Sequence, residues 1–329
     1  QTLTSRKDVD LTRTFKFYNS GKEWTGIPIM SSNMDGVGTF AMAKVLQEQK
    51  MITVLRKHYT LDDWKVAIGD GVKMKYLSVC TGTGVIWDKD AIDYNTMKKV
   101  LEKYPDVPFI CVDVANGYHE NYGDFIEKLR YEYQDKTIIA GNVITAEMTE
   151  ELILRGADIV KCGIGPGSVC TTRLMTGVGV PQLSGIIECA DAANGVGGHI
   201  IADGGCVYPG DVAKAFGAGA HFVMLGGMLA GHDEAEGEVV NGKVQFYGMS
   251  SNAAMSKHGS RKDGYRGAEG KVVELPHKGP VRDTVTEILG GVRSAATYIG
   301  AKRIKDMPKC TTFVRVNNVV NQVYKSFEA

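Results

Sequence analysis

The chain has 329 residues, of which 43% are hydrophobic and 23% are charged, as in a soluble globular protein with a full core. Its 38 basic and 38 acidic residues cancel, which excludes the long-range field that attracts a protein to nucleic acid or to an acidic membrane. No apolar run has the length of a membrane-spanning helix, and no signal peptide is visible.

Seven cysteines are scattered along the chain without a C-x-x-C pair, which argues against a disulfide framework and against a zinc site. Six of them are explained as small buried hydrophobes or as incidental residues. A chain that uses cysteine in this way is expected in a reducing compartment, so we predict a cytoplasmic location.

Short runs rich in β-branched and apolar residues predict eight strands that are covered on both faces. In chain order they are 26–33, 51–57, 75–82, 109–117, 137–142, 157–165, 199–205 and 221–227. Segments with helical periodicity lie between most of them or follow the last one, at 39–50, 95–104, 121–133, 146–156 and 284–300. This succession predicts an α/β fold of the closed (β/α)8 TIM barrel type, with an open doubly wound sheet as the alternative.

Two segments interrupt this alternation of predicted strands and helices. Residues 163–182 follow the sixth strand and are Gly-rich with almost no helical pattern, and residues 231–279 follow the eighth strand and are polar and irregular. Both extend from the C-terminal ends of strands, where the active sites of barrels lie. We therefore predict that the first is a catalytic loop and the second a mobile flap.

Cys170 lies in the predicted catalytic loop and is followed by Thr171, Thr172 and Arg173. A thiol in polar, cationic surroundings is expected to have a depressed pKa and to act as a nucleophile. The alternative is a loop cysteine without a chemical role.

The glycines of the same loop indicate a ligand site. Gly163, Gly165 and Gly167 bring backbone groups to an open surface, and Ser168 adds a hydroxyl. Successive N–H groups in such a loop bind anions, and carbonyls that turn outward can hold a monovalent cation. A flexible turn without a ligand is the alternative.

The seventh and eighth strands end in glycines that suit a phosphate. Asp203-Gly204-Gly205 ends the seventh strand and Gly226-Gly227 ends the eighth. The loops after these two strands form the usual phosphate site of TIM barrels, and a carboxylate such as Asp203 can accept from ribose hydroxyls. Turn glycines with a capping aspartate are the alternative.

Two charged residues are predicted at the same mouth of the barrel. Asp113 ends the fourth strand within the run DVANG (113–117), and Lys57 ends the second strand. They either contact a ligand or form an ion pair at the rim.

Together these runs resemble the family of IMP dehydrogenases and GMP reductases. The resemblance covers nearly the whole chain. It is carried by NMDGVGTF (33–40), DVANG (113–117), GIGPGSVCTTR (163–173), TGVGVPQLSG (176–185), ADGGC (202–206), VMLGGMLAG (223–231) and YGMSS (247–251).

The flap favours the reductase branch of the family. Segment 254–280 lacks the Arg-Tyr dipeptide of the dehydrogenases and has Tyr265-Arg266 in the reverse order, followed by the run AEGK. Segment 51–64 continues toward the third strand without room for the regulatory module that many dehydrogenases carry, so one barrel domain over 1–329 is expected. The alternatives are an IMP dehydrogenase and a nucleotide-sensing barrel without turnover.

The resemblance implies NADPH-dependent reductive deamination of GMP to IMP and ammonia, with Cys170 as nucleophile and Thr172 and Glu269 handling the proton. For GMP and IMP it implies Ser168, Asp203, Gly204, Gly205, Gly226, Gly227, Gly248, Met249, Ser250, Arg266, Gly267, Ala268 and Gly270. For NADPH it implies Lys57, Asp113, Val114, Ala115, Ile164 and Gly165. A neighbouring subunit of a homotetramer would add Ser5, Arg6, Tyr265, Ser294, Ala295, Ala296 and Thr297. For a potassium ion it implies Gly165, Gly167, Cys170 and Arg173, through backbone carbonyls.

Overall fold

The computed structural model of the chain describes residues 3, 5–83, 92–258 and 267–316. Its first sheet is an antiparallel hairpin of β1 (Arg13–Lys16) and β2 (Glu23–Gly26), which the sequence analysis did not predict. The buried rings of Phe15 and Phe222 stack with centroids 4.2 Å apart. Because Phe222 begins the last barrel strand, the hairpin covers the N-terminal end of the barrel.

Eight parallel strands form a closed barrel, in which the last strand pairs with the first. They are β3 (Ile29–Ser31), β4 (Ile52–Val54), β5 (Leu77–Thr81), β6 (Phe109–Asp113), β7 (Thr137–Val143), β8 (Ile159–Cys162), β9 (His199–Asp203) and β10 (Phe222–Leu225). Each corresponds to one of the eight predicted runs. The predicted TIM barrel is therefore confirmed, and the open sheet is excluded.

Helices surround the barrel, and most of them bury one face, although α6 has no buried residue. They are α1 (Phe40–Leu46), α2 (Leu61–Gly69), α3 (Ile92–Lys103), α4 (Glu120–Glu132), α5 (Ala146–Leu154), α6 (Thr172–Thr176), α7 (Gln182–Gly195), α8 (Pro209–Gly217), α9 (Asn252–Lys257), α10 (Val281–Ile299) and α11 (Met307–Cys310). In α10 the buried residues Val281, Val285, Ile288 and Val292 recur every three or four positions, as a core-facing helix requires. Within the described part of the chain, no helix combines the length and apolarity needed to cross a membrane.

The two irregular segments have more regular structure than predicted. Residues 163–182 contain the short helix α6. Residues 231–279 contain α9 and an antiparallel sheet of β11 (Val239–Val240), β12 (Lys243–Tyr247) and β13 (Val272–Pro276). In β12 the residues Val244 and Phe246 are buried between exposed neighbours. The prediction missed this sheet because its longer pairing joins two segments about thirty residues apart, which no local pattern reveals.

Candidate active site

A cavity opens where the barrel strands end, with an empty volume of about 920 Å³ that includes its open mouth. The cavity brings together residues from all the predicted sets, namely Cys170, Thr172 and Glu269 for catalysis, Asp203, Gly248, Met249 and Ser250 for the nucleotide, Asp113, Val114, Ala115, Ile164 and Gly165 for the cofactor, and Gly167 for the cation. Six further residues in its lining were not predicted, namely Ser32, Asn33, Met34, Asn142, Lys161 and Val169.

The three predicted catalytic side chains form one chain of hydrogen bonds. The Cys170 thiol donates to Thr172 Oγ1 over 3.2 Å, and the Thr172 hydroxyl donates to Glu269 Oε2 over 2.7 Å. All three residues are partly buried. A proton can therefore pass from the sulfur to the carboxylate through a single hydroxyl.

Backbone pairing between the flap and the catalytic loop holds Glu269 in this position. The Thr171 N–H donates to the Glu269 carbonyl, and the Lys271 N–H donates to the Val169 carbonyl, both over 2.9 Å. A Cβ added at Gly248 would lie 3.0 Å from Val169 O and 3.2 Å from the Cα of Gly270. These glycines are required because three backbone segments meet here without room for a side chain.

The predicted phosphate residues meet at one corner beside the cavity. Gly204 and Gly205 both have a φ of +88°, and a Cβ on Gly204 would lie 3.2 Å from the Gly167 nitrogen. A Cβ on Gly227 would lie 2.8 Å from Ser168 Oγ. Backbone segments therefore approach the Ser168 hydroxyl closely at this corner. A hydroxyl together with backbone N–H groups is the kind of donor set that binds phosphate in other proteins.

A buried lysine lies at the floor of the cavity. Lys161 Nζ donates to Asp113 Oδ1 over 2.7 Å, to Asp203 Oδ2 over 2.9 Å, and to Asn142 Oδ1. Burial opposes the charge of Lys161, but the two carboxylates outweigh it and raise the pKa of the ammonium well above its ordinary value. Burial likewise opposes the charge of Asp113, yet Lys161 prevails and lowers the pKa of that carboxyl. The sequence feature that could have revealed this residue is a lysine inside the otherwise apolar strand IVKC (Ile159–Cys162).

Comparisons with known proteins agree with this geometry. The family model described as IMP dehydrogenase / GMP reductase domain matches residues 7–322. The chain belongs to the IMP dehydrogenase / GMP reductase family. A GMP reductase of Klebsiella pneumoniae is 56% identical over 332 residues, covering 99% of this chain and 94% of that protein. GMP reductases of Vibrio cholerae serotype O1 and Escherichia coli O157:H7 are each 54% identical, covering 98% and 99% of this chain and 93% and 94% of those proteins. The family resemblance inferred from the motifs is thereby confirmed.

Asp113 and Lys57, both assigned to the cofactor by the family resemblance, do not pair with each other. Lys57 Nζ lies 2.5 Å from Asp93 Oδ2 of α3, whereas Asp113 is held by Lys161 and by Asn33 Nδ2 at 3.0 Å. Strand β4 ends at Val54, three residues earlier than predicted, so Lys57 lies in the turn before α2. Each residue therefore forms an ion pair, as the alternative drawn from the sequence expected, with a partner that the sequence analysis did not name.

The family's cation loop contains an internal guanidinium. Arg173 donates through Nε to the Ile164 carbonyl over 3.2 Å and through Nη2 to the Val180 carbonyl over 2.6 Å. The sequence analysis placed the charge of Arg173 beside the thiol of Cys170. In the structure the guanidinium donates to two backbone carbonyls instead. The Gly167 carbonyl accepts from the Cys170 N–H. Among the described residues, no backbone N–H donates to the carbonyls of Gly165 or Cys170, so both oxygens suit a hard monovalent cation.

Several residues that the family resemblance implies lie away from the cavity or outside the described residues. Ser5 caps the 3-10 helix Arg6–Asp8, which packs against α10, the helix that carries residues 294–297. None of these residues is in the cavity lining of the single chain. Tyr265 and Arg266 lie outside the described residues. Gly267 and Ala268 are described, but the cavity lining does not include them.

Proposed function

We propose that the chain is a GMP reductase, which converts GMP to IMP and ammonia with NADPH as the reductant. The observation that carries the proposal is the hydrogen-bonded chain from Cys170 through Thr172 to Glu269 inside the cavity. The printed names of its relatives support the same activity.

Under this proposal GMP binds with its phosphate in the corner of Ser168, Gly204, Gly205, Gly226 and Gly227. Asp203 Oδ2 is already held by Lys161 and by Asn142 Nδ2, the latter over 2.8 Å. Its Oδ1 is left to accept from the ribose hydroxyls. Gly248, Met249 and Ser250 line the cavity beside Cys170 and would contact the purine, with Arg266, Gly267, Ala268 and Gly270 of the flap.

The chemistry begins with loss of the thiol proton of Cys170 through Thr172 to Glu269. The thiolate adds to C2 of guanine, and the purine amino group takes up a proton and leaves as ammonia when its C–N bond breaks. This produces a thioimidate on Cys170, so that one difficult displacement is divided into two easier steps. Glu269 is the acid that returns the proton to the departing amine, because a threonine hydroxyl alone is too weak an acid.

NADPH, when bound, supplies the hydride that reduces C2 before the C–S bond breaks and IMP is released. Asp113, Val114, Ala115, Ile164 and Gly165 would hold it, and they fit because they line the same cavity as Cys170. The Asp113 carboxylate, kept ionised by Lys161, is suited to accept from hydroxyls of the cofactor. Lys57 stands at the mouth of this half of the site.

We propose that the remaining cofactor contacts come from a neighbouring subunit of a homotetramer. Ser5, Arg6, Tyr265 and residues 294–297 would supply them, with the Arg6 guanidinium suited to the 2′-phosphate of NADPH. The carbonyls of Gly165, Gly167, Cys170 and Arg173 would hold a potassium ion. The unused Gly165 and Cys170 oxygens support this assignment.

A cofactor assay with the purified chain tests the proposal. We expect GMP-dependent oxidation of NADPH with release of one ammonia per NADPH consumed, and we expect the Cys170→Ala variant to bind GMP without turnover. Formation of NADH from IMP and NAD⁺, with no reaction of GMP, would instead assign the chain to the dehydrogenases.

A further inference from the structure

We propose that Lys161 is the positioning residue that couples the nucleotide half of the cavity to the cofactor half. One buried ammonium holds two carboxylates, Asp203 on the side assigned to GMP and Asp113 on the side assigned to NADPH. The inference rests on the proposed function, which takes these two aspartates as ligand contacts. It goes further because it assigns the orientation of both aspartates to one residue, which lies in neither the DVANG run nor the ADGGC run.

The hydrogen bonds of Lys161 show that it acts through its neighbours. Only 3% of its side chain is exposed. An ammonium has three donors, and Lys161 directs one each to Asp113, Asp203 and Asn142. No donor remains for a substrate or cofactor, so Lys161 positions other residues and does not itself contact the reacting atoms.

Two amides complete the orientation of the carboxylates. Asn33 Nδ2 donates to Asp113 Oδ2 over 3.0 Å. Asn142 Nδ2 donates both to Asp203 Oδ2 and to the Gly163 carbonyl, each over 2.8 Å. Each aspartate is therefore fixed by an amide on its own side and by the shared ammonium. A change at Lys161 removes a hydrogen bond from both aspartates, whereas a change at either asparagine removes one from a single aspartate and leaves both ammonium contacts in place.

Electrostatics gives this arrangement a measurable consequence. Two carboxylates gathered around one ammonium repel each other, and loss of the Lys161 charge would raise the pKa of Asp113, which that charge lowers in the wild type. The other titratable groups near the network do not replace the cation. Cys111, hydrogen-bonded to Cys80 and buried, and Tyr122, buried, both have a raised pKa and are neutral. Burial raises the pKa of Cys206, near Asp203, to about 12. Lys57 pairs with Asp93, and its charge makes only a lesser contribution to the lowered pKa of Asp113 than Lys161 does.

The variant Lys161→Met tests the inference, because it keeps an unbranched apolar stem and removes the charge. We expect the dissociation constants of GMP and of NADPH each to rise about tenfold or more, as for loss of a hydrogen bond to a charged group. We also expect NADPH affinity to gain a dependence on pH and to strengthen as the pH rises, because the Lys161 ammonium lowers the pKa of the Asp113 carboxyl in the wild type. The wild type should show less of that dependence. Unchanged affinities, or a change confined to one ligand, would overturn the inference.

A matched control and a compensating variant separate positioning from folding. Lys136 is also a buried lysine, but it donates to the Pro105 carbonyl ahead of β7, so Lys136→Met should alter stability without altering either affinity. In Lys161→Met/Asp113→Asn a positive and a negative charge are removed together. NADPH affinity should then stay low but become independent of pH, and GMP affinity should recover in part because the repulsion at Asp203 is relieved. A double variant that retains the pH dependence of the single variant would contradict the coupling.

The same experiments distinguish this inference from the proposed function. If the wild-type chain failed to oxidise NADPH with GMP, the proposed function would be contradicted. If the wild type were active and its Lys161→Met variant bound both ligands normally, only the proposed role of Lys161 would be contradicted.

Discussion

The Thr172 hydroxyl and Glu269 Oε2 are 2.7 Å apart, although 97 positions separate these residues in the chain. The backbone pairing of residues 169–171 with residues 269–271 makes this contact possible. Under the proposed mechanism, the flap completes the acid–base apparatus of the catalytic loop, and a flap that opened would take the carboxylate away from the thiol.

Glu269→Gln should reduce the rate of ammonia release by about a hundredfold or more, since an amide cannot take up the thiol proton. GMP affinity should change little, because the glutamine is isosteric. Ammonia release and the GMP dissociation constant are the two measurements. Glu274→Gln, on the exposed strand β13 of the same flap, is the matched control and should retain full activity. Normal turnover in Glu269→Gln would remove this residue from the mechanism.

Thr172→Val should interrupt the proton path while preserving the shape of the side chain. We expect kcat to fall by about tenfold to a thousandfold and Thr172→Ser to recover most of it, because serine restores the hydroxyl. The pH profile of kcat should also change in Thr172→Val, which a purely structural effect would not produce. If valine and serine gave the same rate, the hydroxyl would have no role in proton transfer.

Gly227→Ala should weaken GMP binding without unfolding the protein. The added Cβ would lie 2.8 Å from Ser168 Oγ, and that hydroxyl must turn away to make room. We expect the KM for GMP to rise about tenfold, as for a lost hydrogen bond to a phosphate, with the melting temperature nearly unchanged. Gly290→Ala in α10 is the control, since a Cβ there meets nothing within 4 Å and alanine favours the helix. An unchanged KM in Gly227→Ala would remove Ser168 and its corner from the phosphate site.

Acid should destabilise the N-terminal end of the barrel through His199. Burial and then the nearby Arg13 lower the pKa of His199 from its ordinary value of 6.5 to about 4. Because the folded pKa lies below the unfolded one, the stability contributed by the neutral imidazole is complete above pH 6.5 and is lost as the pH falls toward 4. The loss is at most about 3 kcal/mol.

Urea unfolding at pH 7 and pH 5 measures this effect. His199→Phe, which places an apolar ring beside Phe15 and Phe17, should lose less stability between the two pH values than the wild type does. An equal loss in His199→Phe would assign the acid sensitivity to other groups.

The barrel was predictable because each of its strands is a short apolar run, followed in most cases by a helical period. The members of the proton path were also identifiable, since Cys170, Thr172 and Glu269 lie in motifs of the family. The hairpin was not, because β1 and β2 are only four residues long and contain more polar than apolar residues.

The Lys161 network could not be derived from the sequence for a different reason. Which side chains of a barrel strand point to a shared interior depends on the closure and register of all eight strands. Lys161, Asp113, Asn142 and Asp203 come from four different strands, and no spacing along the chain relates them. The predicted direction of the Arg173 side chain was wrong for a related reason. Nearness to Cys170 in the sequence does not determine which oxygen atoms accept hydrogen bonds from the guanidinium.

Mass spectrometry of the chain, quenched during turnover with GMP and NADPH, tests the central claim most directly. The account predicts a purine nucleotide attached to the peptide that contains Cys170, and no such adduct in the Cys170→Ala variant. An active enzyme with no adduct at Cys170 under conditions that trap a control thioimidate, or with the nucleotide on another residue, would contradict it.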